Sequence, residues 1–155
     1  MQLNPCHLWI VIPCYNNSRT IRDVAQRTLK VWPNVVVVDD GSTDARISEL
    51  LKDLPLQVIS HAENEGKGNA LISAARFVFL KGGVYMLTLD ADGQHFPEDI
   101  PLFLERLPLE GDKIFIGVRD FTAPHIPSSS RFGRDFSNYW IKMETGLDLE
   151  DTQSG

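Results

Sequence analysis

The residues best suited to chemistry are two acidic pairs. Asp90-Ala91-Asp92 follows the apolar run Val84 to Leu89. Residues two apart in extended backbone point to the same side, so both carboxylates can share one hard cation, Mg²⁺ or Mn²⁺. A phosphate-bearing substrate would fill the remaining oxygen positions, with Gln94 or His95 in or beside the ligand set. The competing reading is a plain Asp-Gly turn with a solvated neighbour. Asp39-Asp40, the second pair, closes the run Val35 to Val38. Neighbouring carboxylates repel and need hydrogen bonds or a cation to stay ionised. Asp40 would suit a nucleobase N–H, with Asp39 beside it as a further substrate contact, while both aspartates equally suit the N-terminus of a helix from Ser42 to Leu54.

Weaker signals surround these. Glu63-Asn64-Glu65-Gly66-Lys67-Gly68-Asn69 precedes a helical stretch and would set backbone N–H groups and one cation at a helix N-terminus, where anions are favoured. Its spacings match neither a P-loop nor a dinucleotide fingerprint. Tyr15, after Pro13, would lay its ring on a base or simply pack at a strand end. Arg119, Arg131 and Arg134 offer planar forks for phosphate, or are solvated surface arginines. His7, His61, His95 and His125 show no metal-ligand spacing, and only His95 stands beside a candidate site.

A frame must gather these groups. Leu8 to Ile12, ended by Pro13, reads as a strand buried on both faces of a largely parallel sheet. Ser18 is a candidate N-cap for a helix bearing Ile21, Val24, Ala25, Thr28, Leu29 and Trp32, closed by Pro33. Val35 to Val38 is a second strand by its β-branching, followed by a helix carrying Ile47, Leu50, Leu51 and Leu54. Leu56 to Ser60, Gly68 to Leu80 and Val84 to Leu89 continue the alternation as strand, helix and strand. Pro97 suits the first turn of a helix bearing Ile100, Phe103, Leu104 and Leu107. Lys113 to Val118 reads as a fifth strand, Thr122 to Ser130 as a polar loop, and Phe132, Phe136, Trp140 and Met143 as one helix face. Such alternation predicts a mostly parallel α/β sheet with helices on both faces and active residues beyond the strands' carboxyl ends.

Composition agrees with a single soluble domain over residues 1–155, with 43% apolar and 23% charged residues. A net charge of −6 provides no broad basic surface for nucleic acid. Cys6 and Cys14 lack zinc-site spacing; Cys14 lies in an apolar run and both read as reduced thiols of a cytosolic protein. No stretch approaches the ~18 apolar residues of a membrane span.

Taken in order, Val11-Ile12-Pro13-Cys14-Tyr15-Asn16, Val38-Asp39-Asp40-Gly41-Ser42-Thr43-Asp44, Asn64-Glu65-Gly66-Lys67-Gly68 and Asp90-Ala91-Asp92-Gly93-Gln94-His95 resemble the family 2 glycosyltransferases of the GT-A fold. The Asp-Gly-Gln-His ending is most similar to the polyprenyl-phosphate (dolichyl-phosphate) sugar synthases, and the likeness runs through Asp151-Thr152-Gln153-Ser154-Gly155. The resemblance implies that Pro13, Tyr15 and Asp40 border the nucleobase, that Lys67 lies near the nucleotide, and that Asp90, Asp92 and Gln94 hold the metal and diphosphate. Arg119, with Arg131 or Arg134, would meet an acceptor phosphate. Two departures stand out: many relatives carry glutamate at the position of Asn17, and their last motif continues with Phe-Arg, so the catalytic domain is expected to be truncated at its C-terminus.

The implied reaction is an inverting transfer from a nucleotide-diphosphate sugar to a lipid phosphate or glycan, with Asp92 at the metal. A lipid phosphate is already anionic and needs no general base, whereas a hydroxyl acceptor does, for which Asp151 is the late candidate. Rival readings are a sugar nucleotidyltransferase and a nucleotide-binding regulatory module without turnover. The expected location is the cytoplasm, including the cytoplasmic face of a membrane if the parent protein is membrane-associated.

Overall fold

The computed structural model describes residues 7–107, 117 and 128–148, with side chains in the last segment from residue 135 onward. The chain divides between Leu109 and Glu110 into two compact units.

In the first unit, β1 (Leu8–Cys14), β2 (Val35–Asp39), β3 (Gln57–Ser60) and β4 (Tyr85–Thr88) form a wholly parallel sheet in the order β3-β2-β1-β4. The two central strands are the two most apolar runs in the sequence, and Val35 to Val38 are at most 1% exposed. Alternation along the strands feeds two cores. Leu8, Ile10, Ile12, Val35 and Val37 face α1 (Ile21–Val31), α2 (Ile47–Leu50) and α4 (Ile100–Leu104), which contribute Ile21, Val24, Ala25, Ile47 and Ile100. Val11, Val36 and Val38 face the other way, against Ala70, Ala74 and Val78 of α3 (Lys67–Leu80). Helices therefore cover both faces, the arrangement implied by the GT-A resemblance.

Several boundaries differ from the sequence reading. The first helix has Thr20 at its N-cap position, two residues after Ser18, whose N–H donates to Asp44 Oδ2 at 2.9 Å. It ends where Trp32 turns extended ahead of Pro33, as a residue before proline must. The helix expected from Ser42 to Leu54 shrinks to four residues. The Ser42 N–H goes to Asp39 Oδ1, and those of Thr43 and Asp44 go to Asn16 Oδ1, side-chain bonds that hold this stretch as a turn. Leu51 and Leu54 still reach the core from a turn. Pro97 opens a 3-10 turn, Pro97–Asp99, that leads into α4.

In the second unit, α5 (Ser128–Thr145) begins inside the stretch read as a polar loop. The expected fifth strand, apart from Gly117, lies outside the described residues.

Candidate functional site

Among the described residues, the groups suited to chemistry gather at the carboxyl ends of the strands, where doubly wound sheets bind ligands. The chain runs outward from β1 to β2 and β3, then crosses to β4 on the other side of β1. Here opens a cleft of about 410 Å³. Pro13, Cys14, Tyr15 and Asn17 line it from β1, Asp40 from β2, Asp90, Ala91 and Asp92 from β4, and Asn64, Gly66 and Lys67 from the segment entering α3. A second hollow, about 620 Å³, runs past Asn16, Ser18, Arg19, Thr20 and Asp44, and shares Asn17 and Asp92 with the first. Asp92 thus stands where the two meet.

Three loops are tied together to build these walls. Asn16 takes a left-handed backbone, φ 55°, which Asn tolerates better than most side chains, and its Oδ1 accepts the Thr43 N–H at 2.8 Å. Its own N–H donates to Ser42 Oγ at 3.1 Å. Gly41, φ 71°, lets the Asp39–Asp44 turn press directly on the next loop, since a Cβ there would sit 2.4 Å from the Glu63 carbonyl carbon. Thr20 Oγ1 donates to the Ala91 carbonyl at 2.6 Å and so fastens the start of α1 between the two aspartates beyond β4.

Asp40 is 3% exposed, at the base of the cleft. Burial pushes its carboxyl up, but the Glu65 N–H, His61 Nδ1 and the Gly66 N–H together outweigh that and hold it below the usual carboxylate range. Asp39, also read as a substrate contact, spends Oδ1 on the Ser42 N–H and its backbone carbonyl on the His61 N–H, and it does not line the cleft. It shapes the turn. Burial lifts the Cys14 thiol to about 11, which leaves it a protonated core group.

Lys67 Nζ lies 2.6 Å from Asp90 Oδ1. On its other side, Asp90 receives His95: the Asp90 N–H donates to His95 Nδ1 at 3.2 Å, and that nitrogen is 3.7 Å from Asp90 Oδ2. Asp92 is exposed and accepts the Gln94 N–H on Oδ1. Gln94 is exposed and outside the cleft lining, so it meets Asp92 through its backbone. As a cation seat, the donor set fits a hard divalent ion: Asp90 and Asp92 offer carboxylate oxygens on one cleft wall. Among the described residues no group of three acidic, His or Cys side chains is arranged to enclose a metal. Mg²⁺ is commonly held in this way, by one or two carboxylates with substrate phosphates completing the shell.

The structure therefore brings together Pro13, Tyr15, Asp40, Lys67, Asp90 and Asp92. Arg119 and Asp151 lie outside the described residues, as do the side chains of Arg131 and Arg134. The sequence alone assigns no role to His61, Asn16 or Thr20 individually. His61 had a legible signal, its place directly after a strand at the carboxyl edge, whereas the pairing of Thr20 with Ala91 had none.

Comparison with known proteins agrees with this geometry. The family model described as glycosyl transferase family 2 matches residues 9–151. An uncharacterised protein of Methanocaldococcus jannaschii is 31% identical over 99% of this chain and 65% of its own length. The UDP-N-acetylglucosamine–dolichyl-phosphate N-acetylglucosaminyltransferase of Methanococcus voltae is 25% identical over 96% of this chain and 67% of its own. An undecaprenyl-phosphate 4-deoxy-4-formamido-L-arabinose transferase of Pseudomonas fluorescens is 33% identical over 97% and 46%, respectively. The chain thus spans between about half and two-thirds of the length of these relatives. With the family match covering nearly the whole sequence and its motifs converging on one cleft, the chain belongs to glycosyl transferase family 2.

Proposed function

We propose that this chain carries the donor site of an inverting glycosyltransferase that moves a sugar from a nucleoside diphosphate to a polyprenyl phosphate. The observation that carries the reading is the convergence of Asp40, Lys67, Asp90 and Asp92 from three separate elements on one cleft. Relatives named for dolichyl-phosphate and undecaprenyl-phosphate transfer support the acceptor class.

In this reading Pro13 and Tyr15 form the wall against the base, and Asp40 accepts a base N–H. Lys67, half-exposed at the mouth, turns its ammonium to the diphosphate, where a point charge on a flexible stem is well suited. Asp90 and Asp92, with Gln94 adjacent, hold Mg²⁺ or Mn²⁺. When bound, the cation offsets charge growing on the departing diphosphate. Asp92, bordering both hollows, sits between the donor and the approach of the acceptor. An anionic phosphate acceptor brings its own nucleophilic oxygen, so no cleft residue has to remove a proton. One displacement from the face opposite the leaving group inverts the anomeric carbon.

The test is product analysis. The protein is incubated with Mn²⁺, a polyprenyl phosphate and sugar-labelled UDP- or GDP-sugars. A lipid-linked product of inverted anomeric configuration is expected; a retained configuration, or, in a parallel incubation with sugar 1-phosphate and nucleoside triphosphate, nucleoside diphosphate sugar formed with release of pyrophosphate, would overturn the reading.

A further inference from the structure

His61 lies at the same carboxyl edge as Asp40, yet the transfer just described does not use it. Its side chain is 8% exposed and both ring nitrogens are engaged: Nδ1 is 2.7 Å from Asp40 Oδ1, and Nε2 is 2.9 Å from Ser73 Oγ. A ring nitrogen facing a carboxylate carries the proton, so Nδ1 donates to Asp40 and, in the neutral ring, Nε2 accepts from the Ser73 hydroxyl. Three chain segments meet in this contact: the end of β2, the end of β3 and the second turn of α3.

Counting acceptor positions shows what the contact does. Each carboxylate oxygen has about two. Asp40 Oδ1 takes His61 Nδ1 and the Glu65 N–H, the latter at 3.0 Å, and is filled. Among the described residues Oδ2 takes only the Gly66 N–H, at 2.8 Å, so the position left for a ligand is on Oδ2. Without His61 the carboxylate would be held only by two neighbouring amides of one loop, and Oδ1 would regain an open position. Asp, His and Ser together have the composition of a hydrolase relay, but Ser73 sits inside α3, whose N–H groups are consumed by the helix, and it lines neither hollow.

We propose that His61 is a positioning residue of the donor site: anchored by Ser73, it fixes the plane of the Asp40 carboxylate so that a single acceptor position, on Oδ2, is offered to the base. The inference rests on the donor-site reading above and adds that base discrimination is set from behind Asp40.

Two substitutions separate the clamp from simple packing. In His61→Asn the amide nitrogen takes the place of Nδ1, keeping the donor to Asp40 while falling short of Ser73. In His61→Gln the longer side chain reaches toward Ser73 and loses Asp40. Calorimetric titration of UDP, GDP, CDP and ADP with Mn²⁺ gives the ratio between the tightest and weakest binder. The expected result is a ratio within about threefold of wild type for His61→Asn, and about tenfold flatter for His61→Gln, the scale of one hydrogen bond to a charged group. Equal ratios in the two variants, or all four affinities falling by the same factor, would overturn the role. Should His61→Gln melt below the assay temperature, Ser73→Ala takes its place, with a two- to threefold flattening expected and an unchanged ratio overturning the proposal; these factors are about the scale of one weakened neutral hydrogen bond. Wild-type protein that binds none of the four, or all alike, defeats base recognition at Asp40 itself.

Discussion

Lys67 Nζ and Asp90 Oδ1 meet at 2.6 Å across the cleft mouth, linking the first residue of α3 to the loop beyond β4. The pair is well solvated, with side chains 51% and 28% exposed, so it contributes little to stability, about 0–1 kcal/mol. Its interest is competitive, because the ammonium occupies an oxygen that the proposed cation seat needs. Lys67→Ala is expected to leave the melting temperature nearly unchanged, to tighten Mn²⁺ binding in the absence of nucleotide by a few-fold, and to weaken nucleoside diphosphate binding. Calorimetry with Mn²⁺ alone and then with nucleotide checks both signs, and weaker Mn²⁺ binding would contradict the competition.

Asp92→Asn isolates the other half of the seat. Asp92 is exposed and, among the described residues, supports only the Gln94 N–H, a bond that an amide oxygen can still accept, so the fold should be unaffected. Thermal unfolding of wild type with a saturating nucleoside diphosphate and Mn²⁺ should show stabilisation of about 2.7 kcal/mol at a hundredfold excess over the dissociation constant. In the variant that gain is expected to fall to the level seen with EDTA. A gain that survives unchanged removes Asp92 from the metal site.

Gly41→Ala tests the packing between loops. A methyl there would enter the Glu63 carbonyl carbon at 2.4 Å and the Asn64 nitrogen at 2.6 Å, both backbone atoms, with φ at 71° adding strain. The expected cost is about 2–4 kcal/mol, the range for backbone conflicts that cannot relax. A urea denaturation midpoint within error of wild type would show that the Asp39–Asp44 turn can move away from residue 63.

The element order was legible because β1 and β2 are continuous apolar runs and α1 keeps a buried face at Ile21, Val24, Ala25 and Thr28. Strand ends told where Asp40, Asp90 and Asp92 would gather, since a parallel sheet places all its carboxyl ends on one edge. What escaped was the use of individual polar atoms. Ser18 reads as a cap in sequence, but Thr20 holds the N-cap position and the Ser18 N–H donates to Asp44, 26 residues away. Asp39 and Asp40 are identical in type and adjacent, yet one caps a turn and the other braces the loop ahead of α3. Those assignments depend on contacts between distant segments, and no local spacing encodes them.

Asp40 also sets a pH dependence. Because its folded carboxyl lies below the ordinary value of 3.8, the unfolded chain takes up this proton first as acid is added. The stabilisation is therefore fully present above that value and is lost as pH falls below it toward the lower folded value. Asp40→Asn removes the ionisable group and turns an amide NH₂ toward at least one of three donors, from Glu65, Gly66 or His61. At neutral pH the expected cost is about 1–3 kcal/mol, that of leaving a buried donor unpaired. Urea unfolding of both proteins between pH 7 and pH 3 measures the difference, which should narrow as the wild type loses its share in acid. A difference that stays constant across the range would mean that Asp40 draws nothing from its charge and acts through shape alone.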